Sequence, residues 1–273
     1  MPFRLFFVVL IYGMLTSPAQ AAPSRIVSLN VCADQYIIAL ADRDQVAALT
    51  VLSRDPTLSY FADRAKSYPV TGSSIEEILR LEADLIVISP LWRAESQAVL
   101  EQFSLPILKL GTAQSFDDIV RQTRMIADAV GHRDRGDELV RQMQADLEEM
   151  DVADAADGPT VLNYQRRGYL TGSRTLMSEV MLRAGLVNMA GALDTHSIRR
   201  VSLETLLLAQ PDYLLIGVPL GQVEDLGTEL LDHPALRRFY GPGKRLYVPQ
   251  ALTVCGGPSF VPAVRSLRRQ LEE

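Results

Sequence analysis

The chain has 273 residues, 22% of them charged, and a formal net charge of −6, so it lacks the basic excess that a nucleic-acid-binding surface requires. With 48% hydrophobic residues and no low-complexity stretch, it is long enough for one large globular domain or two modest ones.

Residues 1–21 read as a signal peptide. Arg4 supplies a weak positive start, residues 5–15 are apolar but too few to span a bilayer comfortably, and Ala19-Gln20-Ala21 has the small-x-small form of a signal-peptidase site. Residue 22 is alanine rather than a lipid-accepting cysteine. No later apolar run is long enough to cross a membrane. The expected product is therefore exported, most simply into a periplasm, with an uncleaved N-terminal anchor as the alternative. Cleavage would leave 252 residues (273 − 21) and a formal charge of −7, because Arg4 is lost.

Arg25-Ile26-Val27-Ser28-Leu29 is a short β-rich run, residues 30–33 turn the chain, and residues 34–40 have helical apolar spacing. Residues 46–52 read as a second strand. Residues 69–73 form a turn that delivers Ser74 as a helix N-cap, with Glu76 and Glu77 in the favourable first turn. Residues 85–88 are a near-continuous apolar run, the pattern of a strand covered on both faces. A helix over 95–103 and a strand over 106–110 follow. This alternation is the signature of an α/β sheet.

The rhythm then breaks. Ser115 caps a helix that runs to Val130 before Gly131, and residues 133–150 predict a long second helix with Leu139, Met143 and Leu147 on one stripe. Asp157-Gly158-Pro159 ends the helical zone and residues 160–164 restart the strand pattern. A polar loop over 165–173, a helix over 176–184 closed by Gly185, a helix from Ser202, strands over 213–216 and 246–248, and a last helix opened by Pro258 complete the chain.

Two of these stretches say the same thing. Ser74-Ile75-Glu76-Glu77-Ile78-Leu79 leads into Asp84-Leu85-Ile86-Val87-Ile88, and Ser202-Leu203-Glu204-Thr205-Leu206-Leu207 leads into Asp212-Tyr213-Leu214-Leu215-Ile216, offset by 128 positions (202 − 74). Such a repeat predicts two similar Rossmann-like α/β lobes, over 22–131 and 157–273, joined by one long backbone α-helix over 132–156, with a ligand cleft between them.

The arrangement resembles the periplasmic substrate-binding proteins of iron–siderophore and cobalamin importers, the helical-backbone class that serves ATP-binding-cassette transporters. Over residues 24–271 the resemblance rests on Arg25-Ile26-Val27-Ser28-Leu29-Asn30, on Val70-Thr71-Gly72 before Ser74-Ile75-Glu76-Glu77-Ile78, and on residues 81–88, where Ala83 replaces the family's common proline. Gln210-Pro211-Asp212 keeps that proline in the second copy. The resemblance implies that Glu76 and Glu204, matched in the two repeats, dock on arginines of an inner-membrane permease. Plain helix capping is the competing explanation of both. It also implies a metal-chelate ligand (a ferric siderophore, cobalamin or haem) and no cofactor or catalytic residue. A monomer is expected, with no nucleic-acid partner.

Ligand residues are expected where strand-end loops of both lobes face each other. On the first lobe these loops are residues 30–33, 53–55 and 90–93, which nominate Asn30, Arg54, Trp92 (the only tryptophan) and Arg93. On the second they are residues 164–169, 195–200, 218–219 and 253–257. Tyr164, Arg166, Arg167 and Tyr169 form an aromatic-basic cluster suited to an anionic or ring-bearing ligand, and His196 lies nearby. His132, His196 and His233 show no metal-ligand spacing. Cys32 and Cys255 survive signal cleavage; in an oxidising compartment they read as one disulfide joining the two halves, with two buried thiols or two soft metal ligands as alternatives. Nucleophile-elbow, phosphate-loop and metalloprotease patterns are absent from the sequence. An exported hydrolase-like α/β enzyme is the main rival reading, and an extracytoplasmic sensor domain a third.

Overall fold

The computed structural model describes residues 21–89, 94–150, 157–217 and 227–272. The leader up to residue 20, the end of the expected bridging helix (151–156) and the loop with Trp92 and Arg93 lie outside the described residues.

The first half carries β1 (Ile26–Ser28), β2 (Val46–Thr50), β3 (Val70–Thr71), β4 (Leu85–Ile88) and β5 (Ile107–Lys109), paired throughout in parallel in the order β3-β2-β1-β4-β5. The second half carries β6 (Thr160–Asn163), β7 (Tyr169–Leu170), β8 (Val187–Asn188), β9 (Arg199–Arg200), β10 (Tyr213–Ile216) and β11 (Arg245–Tyr247). Four of these make a parallel sheet in the order β11-β10-β6-β8, and β7 and β9 pair antiparallel beside it. The two parallel sheets share a plan. The run β2-β1-β4-β5 corresponds to β8-β6-β10-β11, so in each lobe the strand after the repeated helix lies beside the lobe's first strand.

The repeat aspartates hold this plan in register. Asp84 accepts the N–H groups of Ser24 (2.7 Å) and Arg25 (2.9 Å), and Asp212 accepts the N–H (2.8 Å) and hydroxyl (2.7 Å) of Thr160. Burial alone would raise Asp84, but these donors outweigh it and hold its carboxyl below the usual range; the Thr160 hydroxyl and N–H do the same for Asp212.

Helices α1 (Val31–Leu40), α2 (Ala62–Ala65), α3 (Ile75–Arg80) and α4 (Ala94–Gln102) belong to the first lobe. Strand alternation sorts its core: Ile26, Leu85 and Val87 face α1, whereas Val27, Ile86 and Ile88 face Ile78 of α3 and Leu100 of α4. In the second lobe α7 (Leu176–Arg183), α8 (Leu203–Ala209), α9 (Pro234–Phe239), α10 (Gln250–Thr253) and α11 (Phe260–Glu272) do likewise. Val161, Leu215 and Leu246 face α7 and α11; Leu162, Leu214 and Ile216 face α8 and α9.

Between the lobes run α5 (Phe116–Ala129) and α6 (Arg133–Glu149), packed against each other as a hairpin. Phe116 and Ile119 of α5, with Val140 and Met143 of α6, enter the second-lobe core; Ile126 and Ala127 of α5 enter the first. Leu139 touches both. The backbone helix α6 thus has a partner along its length. Gly131, at φ 83°, makes the left-handed turn between the two helices. Gly136 allows their close crossing, because a Cβ there would lie 2.3 Å from that of Ala127.

Candidate functional site

The cleft is built from the carboxyl ends of strands in both lobes, the usual binding edge of an α/β sheet. After β1, Asn30 caps α1 by accepting the N–H of Cys32 at 2.9 Å. Ser89 follows β4, and residues 110–114 follow β5. Across from them stand Asn163 at the end of β6 and Gln165 just after it, Thr171, residues 174–177 at the start of α7, and residues 253–256 at and after the end of α10. Together they enclose a cavity of about 420 Å³.

Its chemistry is amide, hydroxyl and apolar. Asn30, Gln114, Gln122, Asn163 and Gln165 bring carboxamides; Ser89, Thr112, Thr171, Thr175 and Thr253 bring hydroxyls; Leu110, Leu176, Met177, Ile198 and Val254 form apolar walls. Among the described residues the sole charge in this lining is the guanidinium of Arg174, and no imidazole, phenol or carboxylate contributes. A second cavity of about 250 Å³ opens off the first inside the second lobe, sharing Asn163, Gln165, Met177 and Thr253 with it and adding Arg166 and Gln250. Such a surface binds through hydrogen bonds and shape; it offers little for proton transfer or metal ligation.

The sequence-nominated residues separate here. Asn30 lines the main cavity and Arg166 the side chamber. Arg167 and Tyr169 are not in the lining of the main cavity; they line an exposed groove with Arg200, Glu229 and His233, and an open pocket at the cavity's edge with Gln165 and Ile198, which also line the main cavity. Arg167 adopts φ 57°, a left-handed conformation, and shares that open pocket with Arg166. Tyr164 is a correction. It is fully buried in the second-lobe core, its hydroxyl donating to the Val201 carbonyl at 3.3 Å, because strand alternation turns Asn163 to the cleft and the next residue inward. Arg54 donates to the carbonyl of Tyr68 at 2.7 Å and is not among the cavity-lining residues. His196 also stands outside the lining: its Nδ1 lies 3.0 Å from the Ser173 hydroxyl and its Nε2 3.5 Å from Asp194. Trp92 and Arg93 lie outside the described residues.

Sequence reasoning passed over Asn163, Arg174 and the 110–114 loop. The signal was present for the last: Gly111-Thr112 directly follows a strand, and the strand-end rule applied to β5 as well as to β1 and β4 would have reached it.

Cys32 and Cys255 are joined by a disulfide, with Cα atoms 5.2 Å apart, and both line the cavity. Outside the cleft, Glu76 and Glu204 occupy the second position of α3 and α8 and are exposed. The carboxyl of Glu204 is held below its usual range by its own backbone N–H and by the Ser202 hydroxyl.

Comparison with known proteins agrees with this geometry. A cobalamin-binding protein of Halobacterium salinarum (strain ATCC 29341 / DSM 671 / R1) is 23% identical over 220 residues, 77% of this chain; the match spans only 58% of that relative's length. A periplasmic heme binding protein from Pseudomonas aeruginosa superposes with a TM-score of 0.72 at 20% identity, covering 90% of this chain and 91% of that one. A protein of an ABC-type Fe3+-hydroxamate transport system from Saccharomonospora viridis DSM 43017 superposes with a TM-score of 0.69 at 18% identity, covering 92% and 94%. These likenesses establish the fold, two α/β lobes around a cleft. The family described as "Periplasmic binding protein" matches residues 26–239, well over half of the chain, which displaces the enzyme reading: the chain belongs to the periplasmic binding protein family.

Proposed function

We propose that this protein is the extracytoplasmic solute-binding component of an ATP-binding-cassette importer, that it captures a cobalamin or a ferric hydroxamate-type siderophore between its lobes, and that it hands the chelate to an inner-membrane permease. The single observation that carries the ligand class is the cleft lining. Carboxamides, hydroxyls and apolar walls surround the cavity without an imidazole or phenol among the described residues. The segments 90–93 and 218–226, which follow β4 and β10 in the sequence, hold no histidine, tyrosine or cysteine. Such walls read the outside of a chelate whose metal is already saturated by its own ligands. A haem with an open axial position calls for a donor from the protein. The relative described as a cobalamin-binding protein supports this choice; the solved structures, haem-binding ones among them, share the fold.

The rest of the reading follows the family plan. Residues 22–131 and 157–273 act as the two lobes and residues 132–156 as the bridge. Export through a cleavable leader places the monomer in the periplasm. Glu76 and Glu204, one on each lobe, address arginines of the permease, where guanidinium and carboxylate pair bidentately.

The test is a titration of the purified protein with cyanocobalamin, a ferric trihydroxamate and haemin, read by quenching of Trp92, the sole indole. Saturable binding of one of the first two is expected, with Arg166→Ala/Arg174→Ala weakening it at least tenfold, about 1.4 kcal/mol. Binding of haemin alone, with a Soret shift that reports a protein-derived axial ligand, would overturn the ligand class. Turnover of a chelate without retention would overturn the transport role.

A further inference from the structure

The lobes are joined by a covalent bond at the floor of the cleft. Cys32 lies in the first turn of α1 on the first lobe; Cys255 follows α10 on the second, 223 positions later. The seam around the bond is closed on both sides. On the first lobe the Cys32 N–H is fixed by the Asn30 side chain. On the second, the chain continues through Gly256, where there is no space for a side chain, and Gly257, where one would be tight. A Cβ on Gly256 would lie 2.5 Å from that of Ala113 and 2.9 Å from Leu176, and one on Gly257 would lie 3.3 Å from the Tyr36 ring. Tyr36 belongs to the first-lobe core and Ala113 to the segment that leads from β5 into α5 and packs on the second-lobe core, so beside the bond the second lobe's backbone rests directly on a first-lobe ring.

We propose that the Cys32–Cys255 bridge is an interlobe staple that fixes the width of the ligand cleft, so that affinity depends on the bridge being closed. The α5–α6 hairpin is one attachment between the lobes and the bridge is another. Two separate attachments remove relative motions that either alone would leave. A cleft held at its working width gives up less conformational freedom when the ligand arrives, and the residues that bind on each side, Asn30 next to one cysteine and Thr253 near the other, are set at a fixed spacing. The ligand arm of this inference rests on the function proposed above; the geometric arm does not.

The experiment uses the full exported chain with one dye-labelled cysteine on each lobe, Asp63→Cys and Lys244→Cys, both exposed in the wild type. Maleimide dyes react only with these thiols while the native bridge is closed. Single-molecule energy transfer then gives the interlobe distance distribution without ligand, for the bridged protein and after the bridge is opened with a phosphine, which gains the oxygen of a water molecule while the disulfide gains two electrons and two protons. Opening should broaden the distribution and raise the Kd for cyanocobalamin at least about fivefold. The Cys32→Ala/Cys255→Ala variant, labelled in the same way, should reproduce both changes without reductant. An unchanged distribution, or a broadened one with unchanged affinity, overturns the staple. If the bridged protein binds the ferric trihydroxamate instead of cyanocobalamin, the affinity arm uses that chelate; if it binds neither, the ligand class falls and the ligand-free distributions still decide whether the bridge holds the lobes.

Discussion

Asp34 sits in the first turn of α1, fully buried, with Oδ1 accepting the Thr50 N–H at 3.1 Å and Oδ2 meeting the Thr50 hydroxyl at 2.5 Å. It ties α1, the helix that carries Cys32, to the end of β2. Burial pushes its pKa up to about 7, and the bonds from Ser28 and Thr50 only partly offset that. The folded state therefore keeps a proton that the unfolded state loses near pH 4. Between those values the native protein binds more protons than the unfolded chain, so stability falls as pH rises, and the cost levels off above pH 7 at about 4 kcal/mol. Asp34→Asn keeps the shape and never ionises. It should match the wild type near pH 4.5 and exceed it at pH 8, measured by urea unfolding at both. A stability difference independent of pH would mean that Asp34 is ionised in the native protein. Nothing in the sequence distinguishes this aspartate from a solvated first-turn acid, because its partner lies 16 residues away and is chosen by the pairing of β1 and β2.

The repeated helices show what element-scale reading captures. Ser74 accepts the Glu77 N–H at 3.3 Å and Ser202 accepts the Thr205 N–H at 3.2 Å, so both serines are the caps their positions predict. In the first lobe it is Glu77, not Glu76, that reaches back, to the Gly72 N–H at 2.9 Å. In the first lobe the capping explanation therefore attaches to the neighbour and leaves Glu76 free of it, whereas in the second Glu204 itself meets the Ser202 hydroxyl and its own N–H, so a docking role has to be tested on both together. Reversing both charges, Glu76→Arg/Glu204→Arg, should lower importer-dependent uptake at least about a hundredfold while ligand affinity stays the same; normal uptake by cells carrying the double variant would leave no docking role. Long periodic segments, the four central strands and α5, α6 and α11, were legible because burial on one or both faces writes itself into the residue pattern. The two-residue strands β3, β7, β8 and β9 were not, since two residues carry no period. Tyr164 shows the opposite failure: the strand was legible, but the residue just past its end was counted with the cleft loop, and one step of alternation separates the cleft from the core.

At the scale of the whole molecule, the repeat announced two lobes, but how firmly they are coupled depends on contacts between residues far apart in sequence. Two-lobed chains can unfold one lobe at a time, and a single transition then has no defined free energy. Here Leu139 packs against both cores, and the bridge closes a loop of 223 residues. Closing such a loop lowers the entropy of the unfolded chain by an amount worth roughly 5 kcal/mol, with any native strain subtracting from it. The bridged protein should therefore unfold in urea as one unit. Its two probes differ in what they see: Trp92, the sole indole, lies in the sequence between β4 and α4, two elements of the first lobe, whereas far-UV circular dichroism reports helices of both. The two curves should coincide in the bridged protein, then fall to lower urea and separate once the bridge is reduced, with the loss amounting to about 2–5 kcal/mol. Thiol titration of the denatured, unreduced protein fixes the starting point and should find no free thiol. Two free thiols, or coincident and unshifted curves after reduction, would show that the lobes are held together by α5 and α6 alone.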